Sequence, residues 1–189
     1  MPNQKKGIIP SKKWKKTTLG ESWYAGETLI SGIGQGFVLT SPFQLAVMTS
    51  IIASNGKIIE PTILKRNKAN FKANNKYSKE IKIIKKAMFK VVNENKGTAF
   101  KSRLEDIKFA GKTGTSQVRS ISLAERESDE FRKKEQEWKN RDHALFVGYI
   151  PYDDPKYAIS VIIEHGGSGA STAAPIAKQV FNYIQKLNL

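Results

Sequence analysis

Between two runs rich in β-branched and aromatic residues, Ala144 to Tyr149 and Tyr157 to Glu164, stand Pro151, Asp153, Asp154 and Pro155. Proline presets φ and aspartate hydrogen-bonds its own main chain, so this cluster reads as a tight turn and the two runs as an antiparallel hairpin. A third strand is predicted over Ile107 to Val118. Between it and the hairpin, Glu125 to Asp142 is mostly charged with signs mixed, the pattern of a solvated helix.

Helices are signalled on both sides of these strands. Ser41, Pro42 and Gln44 supply a hydroxyl N-cap, a proline at the first helical position and a capping-box glutamine, ahead of Leu45, Ala46, Val47, Met48, Ile51 and Ile52. Asn55 and Gly56 predict a left-handed stop. A second helix is expected from Lys79, with Ile81, Ile84, Met88 and Val91 near three- and four-residue spacing and lysines on the other face. A C-terminal helix from about Thr172 is expected to bury Ile176, Val180, Phe181 and Ile184. Residues 1–16, Lys-rich around Ile8, Ile9 and Pro10, read as a connecting segment, and residues 65–78 as an exposed loop.

A chain of 189 residues suits one domain and is short for two. Without cysteine there is no disulfide, thiolate metal site or thiol nucleophile. His143 and His165, far apart in the chain and without companion ligands, do not predict a metal centre, and no cofactor is expected. Lys plus Arg number 32 against 17 acidic residues, for a formal charge of +15. The excess is nearly all lysine, scattered over positions such as Lys5, Lys12, Lys65 and Lys86 with no Arg-aromatic stripe, so it reads as solvated surface and nucleic acid is not an expected partner. Attraction to an anionic membrane or wall polymer needs no motif and stays open. No apolar run approaches the roughly 18 residues of a bilayer span and no leader pattern opens the chain, so it is expected to be soluble as written.

The sharpest short stretch is Lys112, Thr113, Gly114, Thr115, preceded by Gly111. A phosphate-binding loop would need glycine five positions before Gly111, where Asp106 stands, and both flanks read as strand. Strand alternation sends Lys112 and Gly114 to one face and Thr113 and Thr115 to the other, so all four serve one ligand only if it lies along the strand edge. Gly114 then permits close main-chain approach, the threonines offer hydroxyls, and Lys112 offers charge to a carboxylate or to a neighbouring hydroxyl's proton. That chemistry suits an extended peptide ending in an anion. Gly32, Gly34 and Gly36 do not make a dinucleotide fingerprint, because Phe37 stands where glycine is required. They read as a tight loop shaping a wall near the site, with Gln35 as an amide contact.

The stretch resembles the K-T-G motif of penicillin-binding proteins and serine β-lactamases. The resemblance extends through Gly32-Ile33-Gly34-Gln35-Gly36, Thr40-Ser41-Pro42 with Gln44, Gly97-Thr98-Ala99, His143 to Pro151, and Glu164-His165-Gly166-Gly167. Together these look like the penicillin-binding protein 2 group of class B D,D-transpeptidases, the enzymes of cell-wall elongation, from about Gly7 to the end. The resemblance implies an α+β fold, an antiparallel five-stranded sheet flanked by helices with the K-T-G strand at an edge. This chain would supply three of the five strands, as the C-terminal portion of a transpeptidase domain over residues 1–189. An incomplete sheet would leave an unpaired edge and make the chain poorly stable alone.

The family's other two motifs are missing. S-x-x-K occurs only at Ser54 and Lys57, where Asn55 and Gly56 break the helix that both would have to share, and S-x-N does not occur. In the implied scheme a serine attacks a D-Ala-D-Ala carbonyl, and a neighbouring peptide's amine resolves the acyl-enzyme. Thr115 N–H would be one of two oxyanion donors, worth about 10²- to 10³-fold in rate. Lys112 would hold the electrostatics of the serine cluster, and Thr113 and Thr115 would grip the substrate carboxylate. The implied partners are stem peptides ending in D-Ala-D-Ala, β-lactams and a membrane glycan polymerase, at the periplasmic face of the inner membrane. His165 and Gly166 to Gly169 are open between a cleft rim and a plain strand-to-helix turn. Trp14, Trp23 and Trp138 are open between packing and partner surface. Rival readings are a non-catalytic binding module of the same fold and a division transpeptidase.

Overall fold

The computed structural model describes residues 5–64, 71–72, 76–118 and 137–187. The chain divides into two compact units, Met1–Leu45 and Ala46–Leu189.

The first unit holds helices α1 (Lys12–Leu19) and α2 (Ala25–Gly32). Residues 12–16, expected as connecting segment, are therefore helical. Ser11 Oγ caps α1 by accepting from Trp14 N at 3.1 Å, and Gly20 ends it at φ 72°. The only buried residue of α1 is Lys15, whose ammonium lies 2.6 Å from Glu27 Oε1, 3.3 Å from Glu21 Oε2 and 4.5 Å from the centre of the Tyr24 ring. A lysine so enclosed persists because its charge is paired. Ile8 pairs with Leu39 as an isolated antiparallel bridge.

Helix α3 (Pro42–Ala53) begins with its capping box formed: Gln44 N donates to Ser41 Oγ at 3.2 Å and Ser41 N to Gln44 Oε1 at 2.9 Å. Asn55 and Gly56 end it in the left-handed region, at φ 59° and 88°. Strands β1 (Ile58–Ile59) and β2 (Phe71–Lys72) then form a small antiparallel ladder. Thus two residues of the segment expected as loop are strand, while 65–70 and 73–75 lie outside the described residues. Helix α4 spans Ser78–Asn93.

The main sheet of the second unit comprises β3 (Ala110–Ser116), β4 (His143–Ile150) and β5 (Tyr157–Ile163), in that order and antiparallel throughout. After a π-helical turn over Gly169–Ala173, helix α5 spans Ala174–Lys186. Of the charged stretch expected as a solvated helix, residues 125–136 lie outside the described residues, and Trp138–Asn140 is a 3₁₀ turn.

Alternation along the strands builds two apolar layers. Ala144, Phe146 and Ile150 share one core with Phe109 and with Ala174, Ala177 and Phe181 of α5. Ala110 and Tyr149 share the other with Ala53 of α3 and Met88 of α4. Helix α5 buries part of the stripe expected: Phe181 is in the core and Ile184 packs against it, while Ile176 and Val180 are exposed and Ala174 and Ala177 take their place against the sheet. On α4, Val92 is fully buried while Ile84 is exposed.

Candidate functional site

Among the described residues β3 has β4 as its only sheet neighbour, so the K-T-G stretch lies on a sheet margin as the resemblance implies. Lys112 and Thr115 are exposed, Thr113 and Gly114 half-buried. Lys112 Nζ donates to Thr113 O at 2.6 Å, which puts that carbonyl on the side of β3 away from β4. Main-chain groups in an antiparallel ladder alternate sides with period two, so the N–H of Thr115 shares that outward side.

Glycines set how closely this strand is approached. A Cβ on Gly111 would lie 2.2 Å from Phe146 Cζ, so the absence of a side chain there makes room for the core ring beneath the strand. On Gly114 it would meet only Leu145 Cβ, at 3.2 Å. On Gly169 it would lie 2.3 Å from Leu145 O and 2.4 Å from Gly114 O, so the glycine-rich turn rests directly on the K-T-G main chain. That turn is fastened by Gly167 N to Asp142 O at 2.8 Å and by Thr172 Oγ1 to Gly166 O at 2.8 Å. Its role as a close-packed shoulder of the strand carries no clear signal in the sequence.

His143 and His165, distant in the chain, meet at the Ser116 end of β3, with ring centres 4.7 Å apart. His143 Nδ1 accepts from His165 N at 2.9 Å. His165 Nδ1 lies 3.0 Å from Arg141 O, and since a carbonyl only accepts, that ring nitrogen carries the proton. Trp138 packs on His165 at 4.4 Å between ring centres. No group of three or more metal-binding side chains occurs among the described residues. In the first unit Trp14 packs on Phe37 and Trp23 Nε1 donates to Thr28 Oγ1.

A third threonine, Thr98, joins the site. Its Oγ1 lies 2.8 Å from Thr113 Oγ1, fifteen residues away in the chain. The sequence showed Gly97-Thr98-Ala99 as a pattern; only the fold shows which hydroxyl it touches.

Gln35 belongs to the first unit, in a loop turned by Gly34 and Gly36 at φ 77° and 71°, with its N–H donating to Ile30 O at 3.1 Å. Helix α2, not a strand, precedes these glycines, in keeping with the rejected dinucleotide fold. Ser54 Oγ lies 3.2 Å from the carbonyls of Ile51 and Lys57, beyond the end of α3, so Ser54 and Lys57 do not share a helical turn. Two cavities, of about 160 and 500 Å³, lie by Phe181 and Ile184 and by Lys85 and Tyr152, away from the K-T-G residues. The Lys85 ammonium, beside the second, has its pKa lowered by burial, partly offset by Asp153. No described helix is long and apolar enough to cross a membrane.

Residues 1–182 match the family described as penicillin binding protein transpeptidase domain. The chain is 37% identical over 194 residues to the peptidoglycan D,D-transpeptidase MrdA of Acinetobacter baumannii, covering 97% of this chain and 28% of that protein. It is 35% identical over 187 residues to the MrdA of Haemophilus influenzae, covering 93% and 28%. Among solved structures, PBP2 of Helicobacter pylori in complex with MreC superposes with a TM-score of 0.82 at 34% identity, covering 98% of this chain and 32% of that one. PBP2 of Pseudomonas aeruginosa in complex with WCK 5153 gives 0.75 at 32% identity, covering 97% and 39%. The chain thus spans less than a third of the length of these curated relatives, with an incomplete α+β domain whose K-T-G strand forms a sheet margin. It belongs to the penicillin-binding protein transpeptidase domain family.

Proposed function

We propose that residues 1–189 are the C-terminal portion of a D,D-transpeptidase domain that crosslinks stem peptides during cell-wall elongation. The observation that carries this reading is the K-T-G strand on a sheet margin, with Lys112 and Thr115 exposed and the Thr113 carbonyl turned outward. A stem peptide laid along this margin would bring its terminal carboxylate to Thr113, Thr115 and the Lys112 charge. The Thr115 N–H would face the oxyanion formed when a serine, supplied by an S-x-x-K segment outside these residues, attacks the D-Ala-D-Ala carbonyl. Gln35 would contact a substrate amide. Residues 1–16 would lead in from the preceding part of the domain. The complete protein would act at the periplasmic face of the inner membrane, bind β-lactams and work beside a glycan polymerase. The Helicobacter pylori relative solved with MreC supports a multi-protein setting.

Labelled penicillin tests the reading. The 189-residue chain alone is expected to form no covalent adduct, whereas the domain completed with S-x-x-K and S-x-N is expected to be acylated, and Lys112→Ala to abolish most of that acylation. Capture by the chain alone would reveal a nucleophile among these residues, and an inert completed domain would overturn the transpeptidase assignment.

A further inference from the structure

We propose that Thr98 is a positioning residue: its hydroxyl donates to Thr113 Oγ1 and thereby commits the Thr113 proton to the substrate carboxylate. The inference rests on the reading of the K-T-G strand as a carboxylate grip.

The two hydroxyl oxygens stand 2.8 Å apart, so one of them donates to the other. A carboxylate only accepts, and each hydroxyl has one proton. Thr113 can therefore hold a substrate carboxylate with its proton only by accepting from Thr98. This direction leaves Thr113 polarised toward the ligand, and the contact fixes its χ1 before the ligand arrives, so less side-chain freedom is lost on binding.

Thr98 is held firmly enough to do this although it is exposed. It sits between α4 and β3, in a turn closed by Gly97 N to Glu94 O at 2.8 Å and Ala99 N to Val91 O at 3.0 Å. A Cβ on Gly97 would lie 2.2 Å from Val91 O and 2.5 Å from Lys90 O, so only glycine lets the turn lie this close to the helix end. Ala99 is buried in the same core as Phe109 and Phe146, which ties the turn to the sheet that carries Thr113. Helix end, turn and strand thus form one packed body with the hydroxyl pair at its surface.

The test uses the completed, acylation-competent domain and two probes, a penicillin with its carboxylate and the methyl ester of the same compound. Thr98→Val keeps the β-branched shape and removes the hydroxyl. It is expected to slow acylation by the carboxylate probe about three- to tenfold, the worth of one hydrogen bond. Acylation by the ester is expected to stay unchanged, and Thr98→Ser to restore the carboxylate probe. Thr113→Val is expected to slow the carboxylate probe at least as much, and the double variant no more than Thr113→Val alone. Loss of both probes together in Thr98→Val would mean a merely structural role and overturn the proposal. A slowed Thr113→Val beside an unaffected Thr98→Val would overturn the positioning role and leave the carboxylate grip standing. An unaffected Thr113→Val would sink the grip itself.

Discussion

Gly169→Ala is the most telling single perturbation of the site's support. The added carbon would meet three main-chain atoms: Leu145 O at 2.3 Å, Gly114 O at 2.4 Å and Gly114 N at 2.9 Å. Ordinary contact begins near 3.4 Å. The turn must therefore retreat by about 1 Å, because paired strands cannot rotate away as a side chain can. Overpacking of this kind costs typically 1–3 kcal/mol, and with ladder main chain as the obstacle we place it at about 3 kcal/mol. For a domain of this size each kcal/mol lowers Tm by about 2–4 °C, so a fall of about 6–12 °C is expected by thermal unfolding. Gly114→Ala is the internal control. Its added carbon meets only Leu145 Cβ, at 3.2 Å, so the stability loss should be about 1 kcal/mol at most, while acylation of the completed domain falls through blocked main-chain approach. A Gly169→Ala variant that melts within about 1 °C of the parent would show that the glycine-rich turn does not rest on the K-T-G strand.

Two further predictions concern titrating groups. Burial, with smaller contributions from Tyr152 and Asp153, pushes the Tyr149 phenol well above its ordinary range, and among the described residues its hydroxyl has no hydrogen-bond partner. A raised folded-state pKa gives stability that is full below pH of about 10 and is lost as pH rises toward the folded value. Tyr149→Phe should flatten that alkaline decline in urea unfolding and raise stability by about 1 kcal/mol, whereas a less stable variant would show that the hydroxyl is satisfied. The Lys15 ammonium, then the Tyr24 N–H, hold the Glu27 carboxyl below its usual range. Its contribution is present above the ordinary carboxylate pKa and lost as pH falls through the folded value. Hydrogen exchange of α1 and α2 amides should therefore quicken on acidification in the parent and be nearly pH-independent, after correction for intrinsic rates, in Glu27→Gln. An unchanged acid profile in that variant would refute the pairing.

Local signals reproduce locally decided structure. Ser41 and Gln44 form their capping box and Asn55 and Gly56 stop the helix, because caps and left-handed residues act within one turn of chain. Two alternating runs around Pro151, Asp153, Asp154 and Pro155 become β4 and β5, since side-chain period and turn chemistry are both written locally. The short K-T-G pattern likewise falls on β3. Lys-rich α1 carries no such periodic signal: its buried member is a lysine, made tolerable by Glu27 and Glu21 from later in the chain.

What residue order could not decide was which groups meet. The stripe that α5 buries keeps Phe181 and Ile184 from the expected face but runs through Ala174 and Ala177 rather than Ile176 and Val180, a rotation that only the docked helix fixes. His143 and His165 become neighbours only after the hairpin folds, and Gly169 acquires its constraint only when the turn lands on Gly114. The sequence alone determined the three strands of the main sheet, the cap and stop of α3 and the chemical character of Lys112 to Thr115. The tertiary structure decided that Thr98 reaches Thr113, because a hydrogen bond between residues fifteen apart depends on the packed helix, turn and strand and leaves no periodic trace in the chain.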